Sequence, residues 1–251
     1  MSFLSVENIK LTYQTPQGET HAIKDISFDV SEGEFVSIVG PSGCGKSTLL
    51  SCIAGLTAPT GGRIVLDGHR VTGISDNIGY MLQSDNLLPW RTIYKNVLLG
   101  LEIQNKLTEE NISYAENLLK KYDLWDFRHS YPSALSGGMK QRAALIRTLA
   151  VKPALLLLDE AFSALDYQTR VNVSRDVYSI LRKENKTMLM VTHDIPEAVT
   201  MSDKILILSA RPAVIQKTVY TDFGRDRNPV ALRGHRRFQT LFDIVWKEMS
   251  Q

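Results

Sequence analysis

Hydrophobic and polar residues alternate along several short stretches, and a period of two predicts β-strands. Near the N-terminus the stretches are FLSVENIKLTY, EFVSIVG and GRIVLDG; later apolar runs are PALLLLDE, KTMLMVTHD and KILILSA. Helical segments are predicted between them, at 46–56, at roughly 167–184 and from Pro196. Strands that alternate with helices in this way predict a largely parallel sheet covered by helices.

The middle of the chain, from about Gln83 to Ser136, has a helical pattern instead. Thr108 is placed to cap one helix, with acidic residues in its first turn and an apolar face formed by Ile112, Ala115, Leu119 and Tyr122. This segment therefore predicts a helical subdomain inserted between strands.

The tail from Arg225 onward is charged and then becomes amphipathic. Apolar side chains recur at helical spacing, at Phe238, Leu241, Phe242, Val245 and Trp246. This stripe predicts a helix that packs onto the body of the protein or, alternatively, meets a partner.

Composition narrows the class of protein. The 251 residues carry 29 Lys+Arg against 27 Asp+Glu, with no basic block, so a nucleic-acid partner is not expected. The length suits one large domain or a core with an inserted subdomain. Neither a signal peptide nor a membrane span is expected from the apolar runs. Cys44 and Cys52 lie in and just after a glycine loop, where a disulfide would distort the backbone, so we expect free thiols in a reducing cytosol.

That loop, GPSGCGKST, carries the clearest chemistry in the sequence. It matches the G-x-x-x-x-G-K-S phosphate-binding pattern and lies between a predicted strand and a predicted helix, which makes an ordinary glycine turn the weaker alternative. Lys46 is expected to reach the β- and γ-phosphates of a nucleotide, and Ser47 to ligate Mg²⁺. The predicted phosphate-binding residues are Gly40, Pro41, Ser42, Gly43, Cys44, Gly45, Lys46, Ser47 and Thr48.

An acidic pair ends the buried strand LLLLDE, at the sheet edge where α/β proteins bind ligands. Asp159 is suited to the Mg²⁺ shell, because this ion accepts few carboxylates and keeps several waters. Glu160 is then placed to polarise the water that attacks the γ-phosphate. A surface acidic pair after a core strand is the alternative.

Three further side chains indicate a nucleotide site only when they are considered together with the motifs described above. His193 follows another apolar strand and is expected at the γ-phosphate or the attacking water, although a lone histidine there is more often structural. Gln83 has an amide that both donates and accepts, which suits a residue between Mg²⁺ and water. Tyr13 ends the first strand and is either core or a platform that stacks on adenine.

A second glycine-rich stretch, LSGGMKQR, runs into a helix-forming series. Ser136, Gly137 and Gly138 therefore predict a helix N-terminus that can receive an anion. A single chain of this size has no evident need for two phosphate cradles.

Together these motifs resemble one family, the ATP-binding subunits of ABC transporters, over roughly residues 3–220. In order they match its aromatic A-loop, Walker A, Q-loop, signature, Walker B, D-loop (SALD, Ser163 to Asp166) and switch histidine. The resemblance implies a P-loop NTPase core with a mainly parallel sheet, an N-terminal antiparallel β subdomain and the inserted helical subdomain. It also implies ATP and Mg²⁺ as cofactors and adds Asp166 to the nucleotide site.

The resemblance further implies why there are two cradles. Family members pair head to tail, so that the signature of one chain closes over the ATP held by the P-loop of the other. The partner is a second copy of this chain or a paralogous subunit, and a membrane permease is expected to contact the region from Gln83 to Trp90. A substrate-binding protein acts only indirectly, and the subunit lies peripherally at the cytoplasmic face of the membrane.

Within the family, NLLPW and KILILSARPAVIQKTV look most like importers of nitrate, sulfonate and taurine. The alternative is a soluble ABC ATPase in an assembly complex such as the iron–sulfur scaffold, and an exporter subunit is a further possibility. The expected domains are an ATPase domain at 1–225, with the helical subdomain at about 84–150, and a short helical extension at 226–251.

Overall fold

The computed structural model describes residues 2–16, 18–163, 165–224 and 227–250. Ala164 of the predicted D-loop, and the expected domain boundary between 225 and 226, lie outside the described residues. The chain divides into two compact units, one formed by 1–75 and 180–251 and the other by 76–179.

The first unit is built on a sheet in which the two predicted kinds of strand pairing occur side by side. Its strands are β1 (Leu4–Thr15), β2 (Gly18–Val30), β3 (Phe35–Val39), β4 (Gly61–Leu66), β5 (His69–Arg70), β8 (Thr187–Val191), β9 (Lys204–Leu208) and β10 (Ala213–Tyr220), numbered in chain order. They lie in the order β5-β4-β1-β2-β10-β9-β3-β8.

The central strand of this unit is buried along its whole length, because β3 pairs in parallel with both β8 and β9. The N-terminal strands pair antiparallel, β1 with β2 and with β4, as the resemblance implied. The fully apolar pattern of β3, β8 and β9 is what a parallel strand buried on both faces requires.

Four helices belong wholly to the first unit: α1 (Lys46–Ile53), α7 (Ile195–Met201), α8 (Pro229–Leu232) and α9 (Arg236–Met249), among the residues described. The tail helix α9 packs its buried face into a core cluster that also contains Val39 and residues of α7. Phe238, Leu241 and Val245 are buried there, whereas Trp246 is exposed and stacks on Phe242. The packed alternative for the tail stripe is therefore the observed one.

The second unit combines a parallel strand pair with helices. β6 (Ile78–Met81) pairs with β7 (Leu155–Asp159), and the helices are α2 (Ile93–Val97), α3 (Leu99–Ile103), α4 (Glu109–Lys121), α5 (Gly137–Ala150) and most of α6 (Tyr167–Lys183). Thr108 caps α4 as predicted, since its hydroxyl accepts from the backbone N–H of Asn111. None of the helices in the described parts of the chain has both the length and the apolar character needed to span a bilayer.

Candidate functional site

The phosphate loop of the first unit leaves the carboxyl end of β3 and enters α1 at Lys46. Gly43 and Gly45 have φ of 71° and 118°, a left-handed region that strains any residue with a Cβ. Gly40 is constrained for another reason: a Cβ there would lie 3.0 Å from the carbonyl oxygen of Leu208 at the end of β9, a tighter contact than most Cβ atoms make. Backbone conformation therefore favours glycine at positions 43 and 45, and close packing favours it at position 40.

Lys46 folds back onto this loop and is only 6% exposed. Its Nζ donates to the carbonyl oxygens of Gly40 and Pro41, both at 2.8 Å. The ammonium is thus held at the centre of the loop by backbone dipoles, at the place where a nucleotide phosphate is expected.

Tyr13 and His193 belong to the same unit. Tyr13 is 41% exposed near the end of β1, so the core alternative for this side chain is wrong, and its hydroxyl donates to Thr48 Oγ1 at 3.4 Å. His193 is exposed and follows β8, whose last residue Val191 pairs with Ile38 of β3. Because parallel neighbours end at one edge, His193 and the phosphate loop leave the sheet on the same side.

Both cysteines are buried free thiols, as expected from the sequence. Cys44 packs inside the phosphate loop, and burial raises the pKa of the Cys52 thiol to about 11.

The second unit brings the acidic pair and the glutamine together. β6 and β7 run in parallel, with Met81 opposite Leu158, so the residues that follow each strand emerge at one edge. Gln83 Nε2 donates to Glu160 Oε2 at 3.4 Å and to Ser163 Oγ at 3.1 Å. This contact joins two positions 77 residues apart in the chain.

Asp159 and Glu160 occupy different environments at this edge. Asp159 is buried and accepts a hydrogen bond from the Tyr80 hydroxyl at 3.1 Å, whereas Glu160 is half-buried. Glu160 also has a φ of 46°, which is unusual for a residue with a long side chain and points to a backbone that the surrounding structure holds in place. Tyr80 was not singled out from the sequence, although it lies three residues before Gln83, and Ser163 was named only as the start of the predicted D-loop.

The signature stretch forms the N-terminus of α5. Ser136 is the N-cap, and its hydroxyl accepts from the backbone N–H of Met139 at 3.3 Å. Ser136 and Gly137 are exposed, while Gly138 is buried where a Cβ would lie 3.1 Å from Val173 Cγ2 of α6. The helix end is therefore open at its tip and tightly packed one residue later.

Asp166 takes the same capping position before α6. Its Oδ1 accepts from the backbone N–H of Thr169 at 3.1 Å, and hydrogen bonds to Thr169 lower the pKa of this carboxyl. The carboxylate therefore stabilises the first turn of α6.

The apolar segment after Gln83 is held from inside the second unit. Asn96 of α2 is fully buried, and its side-chain oxygen accepts from the Leu88 N–H at 2.7 Å. Its amide N–H groups donate to three carbonyls of the same segment, those of Leu88, Arg91 and Thr92, at 3.0–3.1 Å. Leu87 is buried in the core, but Trp90 is 71% exposed. One part of the segment therefore packs in the core, and another part holds the exposed indole of Trp90 in a fixed place.

Arg147 of α5 fastens the beginning of the same segment. Its guanidinium donates to the carbonyl oxygens of Asp85 and Asn86 at 2.7 and 2.6 Å, and burial lowers its pKa. The helix that begins at the signature serine thus also carries the side chain that anchors the segment following Gln83.

Magnesium fits these residues by its chemistry. The predicted ligands Ser47, Gln83 and Asp159 offer hydroxyl, amide and carboxylate oxygens, which are the hard donors this ion prefers. Within the described residues there is no group of three or more His, Cys, Asp or Glu side chains that could hold a metal ion.

Known proteins resemble this chain along nearly its whole length. An uncharacterized ABC transporter ATP-binding protein of Bacillus subtilis, YtlC, is 48% identical to this chain, and the alignment covers 100% of this chain and 96% of YtlC. The aliphatic sulfonates import ATP-binding protein SsuB of Bacillus thuringiensis subsp. konkukian is 37% identical over 98% of this chain and 96% of its own. The nitrate import ATP-binding protein NrtD of Synechocystis sp. is 42% identical over 89% and 84%.

The fold has a solved counterpart. The ATP-binding cassette MJ0796, in a dimeric post-hydrolysis state bound to ADP and Pi, matches with a TM-score of 0.75 and 30% identity, over 88% of this chain and 100% of that one. The ABC transporter family model matches residues 23–163. The predicted fold class, family and nucleotide are thereby confirmed, and the chain belongs to the ABC transporter family as one of its ATP-binding proteins.

Proposed function

We propose that this chain hydrolyses ATP to power the uptake of a small solute, a nitrate-, sulfonate- or taurine-like anion or a related small molecule, through a separate membrane permease. The observation that carries the proposal is the contact of Gln83 with Glu160 at the end of β7, directly after Asp159. A carboxylate beside an amide, next to a second carboxylate, is the arrangement that orients a water molecule near a metal-bound phosphate.

Each chain supplies residues with separate tasks. The phosphate loop, 40–48, binds the phosphates, and Tyr13 stacks on the adenine. Ser47, Asp159 and Gln83 would hold Mg²⁺, which would neutralise phosphate charge. Glu160 takes up the proton of the attacking water, and His193 contacts the γ-phosphate.

The signature residues Ser136, Gly137 and Gly138, together with Asp166, serve the ATP of a partner in a head-to-tail dimer. The exposed N-terminus of α5 supports this role, because its serine and first glycine are open to an anion from outside the chain. The partner is a second copy or a paralogous subunit, and two composite sites result.

The permease meets the fixed segment from Gln83 to Trp90, with Trp90 as the anchor. An exposed indole on a segment held by buried hydrogen bonds is a favourable docking feature, since little conformational entropy is lost on binding. The subunit accordingly lies on the cytoplasmic face of the membrane. The ATPase domain spans 1–225 with its helical subdomain at about 84–150, and 226–251 is the extension.

Hydrolysis is tested with Glu160→Gln. We expect ATP to bind with unchanged affinity and turnover to fall by about 100-fold or more, since a general base contributes factors of this size. Glu32→Gln is the matched control, because Glu32 is exposed in the turn between β2 and β3. Equal turnover by the two variants would remove Glu160 from the role of base.

The transport role is tested against a soluble assembly ATPase by affinity purification from a detergent-treated whole-cell lysate. We expect a polytopic membrane protein to copurify with the unaltered chain and with Trp246→Ala, but not with Trp90→Ala. Trp246 is the matched control because it is an exposed tryptophan on α9. Recovery of a soluble scaffold protein instead would favour the assembly role.

A further inference from the structure

The turn that carries His193 is held by a closed set of hydrogen bonds. Thr192, before the histidine, is 3% exposed, and its hydroxyl donates to Glu197 Oε2 at 2.8 Å. The same hydroxyl accepts from the backbone N–H of Asp194, after the histidine, at 3.0 Å. Asp194 Oδ1 in turn accepts from the backbone N–H of Glu197 at 2.9 Å.

This arrangement departs from an ordinary capping box in one respect. In a capping box the N-cap side chain bonds to the N3 backbone N–H, and the N3 glutamate bonds back to the N-cap backbone N–H. Here Asp194 is the N-cap of α7 and Glu197 the N3 residue, but the return bond passes through the Thr192 hydroxyl. The box therefore encloses one more residue, and that residue is His193.

These hydrogen bonds fix the backbone on both sides of His193. Thr192 is also fixed to the phosphate-loop strand, because its backbone N–H donates to the Ile38 carbonyl at 3.3 Å. Glu197 is only 4% exposed, whereas the histidine between the bonded residues is exposed. Burying a carboxylate is costly unless it accepts strong hydrogen bonds. Capping of α7 alone would not require the Glu197 carboxylate to be buried.

From this geometry we infer that Glu197, acting through Thr192, is a positioning residue that fixes the direction in which His193 leaves the sheet. The inference rests on the proposed hydrolysis only for its effect on rate. The direction of the imidazole does not depend on ATP hydrolysis, so it can be tested without an activity measurement.

The test compares two identical substitutions. Thr192→Val keeps the shape of the side chain and removes both hydroxyl bonds. Thr200→Val is the matched control, since Thr200 is equally buried on α7 and its hydroxyl donates to the Pro196 carbonyl, within that helix. Thr192→Ser keeps the hydroxyl and is the conservative variant.

The first readout is the imidazole spectrum of protein labelled with ¹⁵N-histidine. The chain has five histidines, and His193→Ala identifies the signals of interest. We expect Thr192→Val to shift or broaden the His193 signals alone, and Thr200→Val and Thr192→Ser to leave them in place. Unchanged His193 signals in folded Thr192→Val overturn the inference, and if that variant does not fold, unchanged signals in Glu197→Leu, which removes the acceptor of the Thr192 hydroxyl bond, do so.

The second readout is ATP turnover. We expect Thr192→Val to lower kcat roughly 10-fold or more, with KM for ATP unchanged, and Thr192→Ser to restore most of it, because misplacing a positioned group costs factors of this order. If the unaltered chain does not hydrolyse ATP, the proposed function fails while the spectrum still decides the role of Glu197. Altered signals with normal kcat would overturn the link to catalysis.

Discussion

Replacing Asn96 by alanine should loosen the segment that displays Trp90. The buried amide makes one bond as an acceptor and shares its two N–H groups among three carbonyls of residues 88–92. At about 1 kcal/mol for each amide hydrogen and for the accepted bond, the free energy of unfolding should fall by about 3 kcal/mol. Bonds within one network are not additive, so ~2–4 kcal/mol is the expected range.

The assay is urea unfolding followed by circular dichroism. Asn117→Ala, at an exposed position of α4, is the control for the gain in helix propensity that alanine brings, about 0.5 kcal/mol. Asn96→Asp should be worse than alanine at pH 7, since a buried carboxylate would face the three carbonyls. Its pKa would be raised, so the lost stability should return as the pH falls. A loss below ~0.5 kcal/mol for Asn96→Ala relative to the control would refute the reasoning.

Three other outcomes are expected. Lys46→Ala should weaken ATP binding by 10-fold or more in an equilibrium titration with labelled nucleotide, since a buried ammonium contact to phosphate is lost. Unchanged affinity would mean that this loop does not bind the phosphates. Ser136→Arg should leave ATP binding by the monomer nearly normal and abolish turnover, and lost binding would mean that the signature acts within one chain. Cys52 should resist iodoacetamide at pH 8 until the protein unfolds, because its thiol pKa of about 11 keeps it protonated, and fast labelling of the folded chain would contradict its burial.

Motifs in the sequence were enough to predict the nucleotide-binding core, because each one is continuous along the chain. The parallel strands were also predictable, since β3, β7, β8 and β9 are buried on both faces and read as apolar runs. Contacts between motifs were not predictable from the sequence. Gln83 meets Glu160 only because the register of β6 against β7 brings their ends together, and register depends on tertiary packing.

The sequence pattern did not predict β2, β5, β6 and β10, and for β2 and β10 the reason is physical. β2 has a burial pattern that breaks its alternation twice, and its ladder with β1 shifts register near Asn8, where the backbone has a φ of 50°. β10 is mostly half-buried or exposed, so it shows neither an apolar run nor strict alternation. The hydrogen bond between Thr192 and Glu197 was also not predictable from the sequence, which shows only a helix cap followed by a glutamate.

The left-handed backbone of Glu160 sets stability against activity at a single position. A non-glycine residue held in this region costs of order 1 kcal/mol, which glycine would not incur. A chain with glycine at 160 should therefore be as stable as the unaltered protein or more so, although it lacks the carboxylate. Random substitution followed by selection for thermostability alone would favour such a change, and would drive this protein toward a well-folded ATP-binding subunit that no longer turns over.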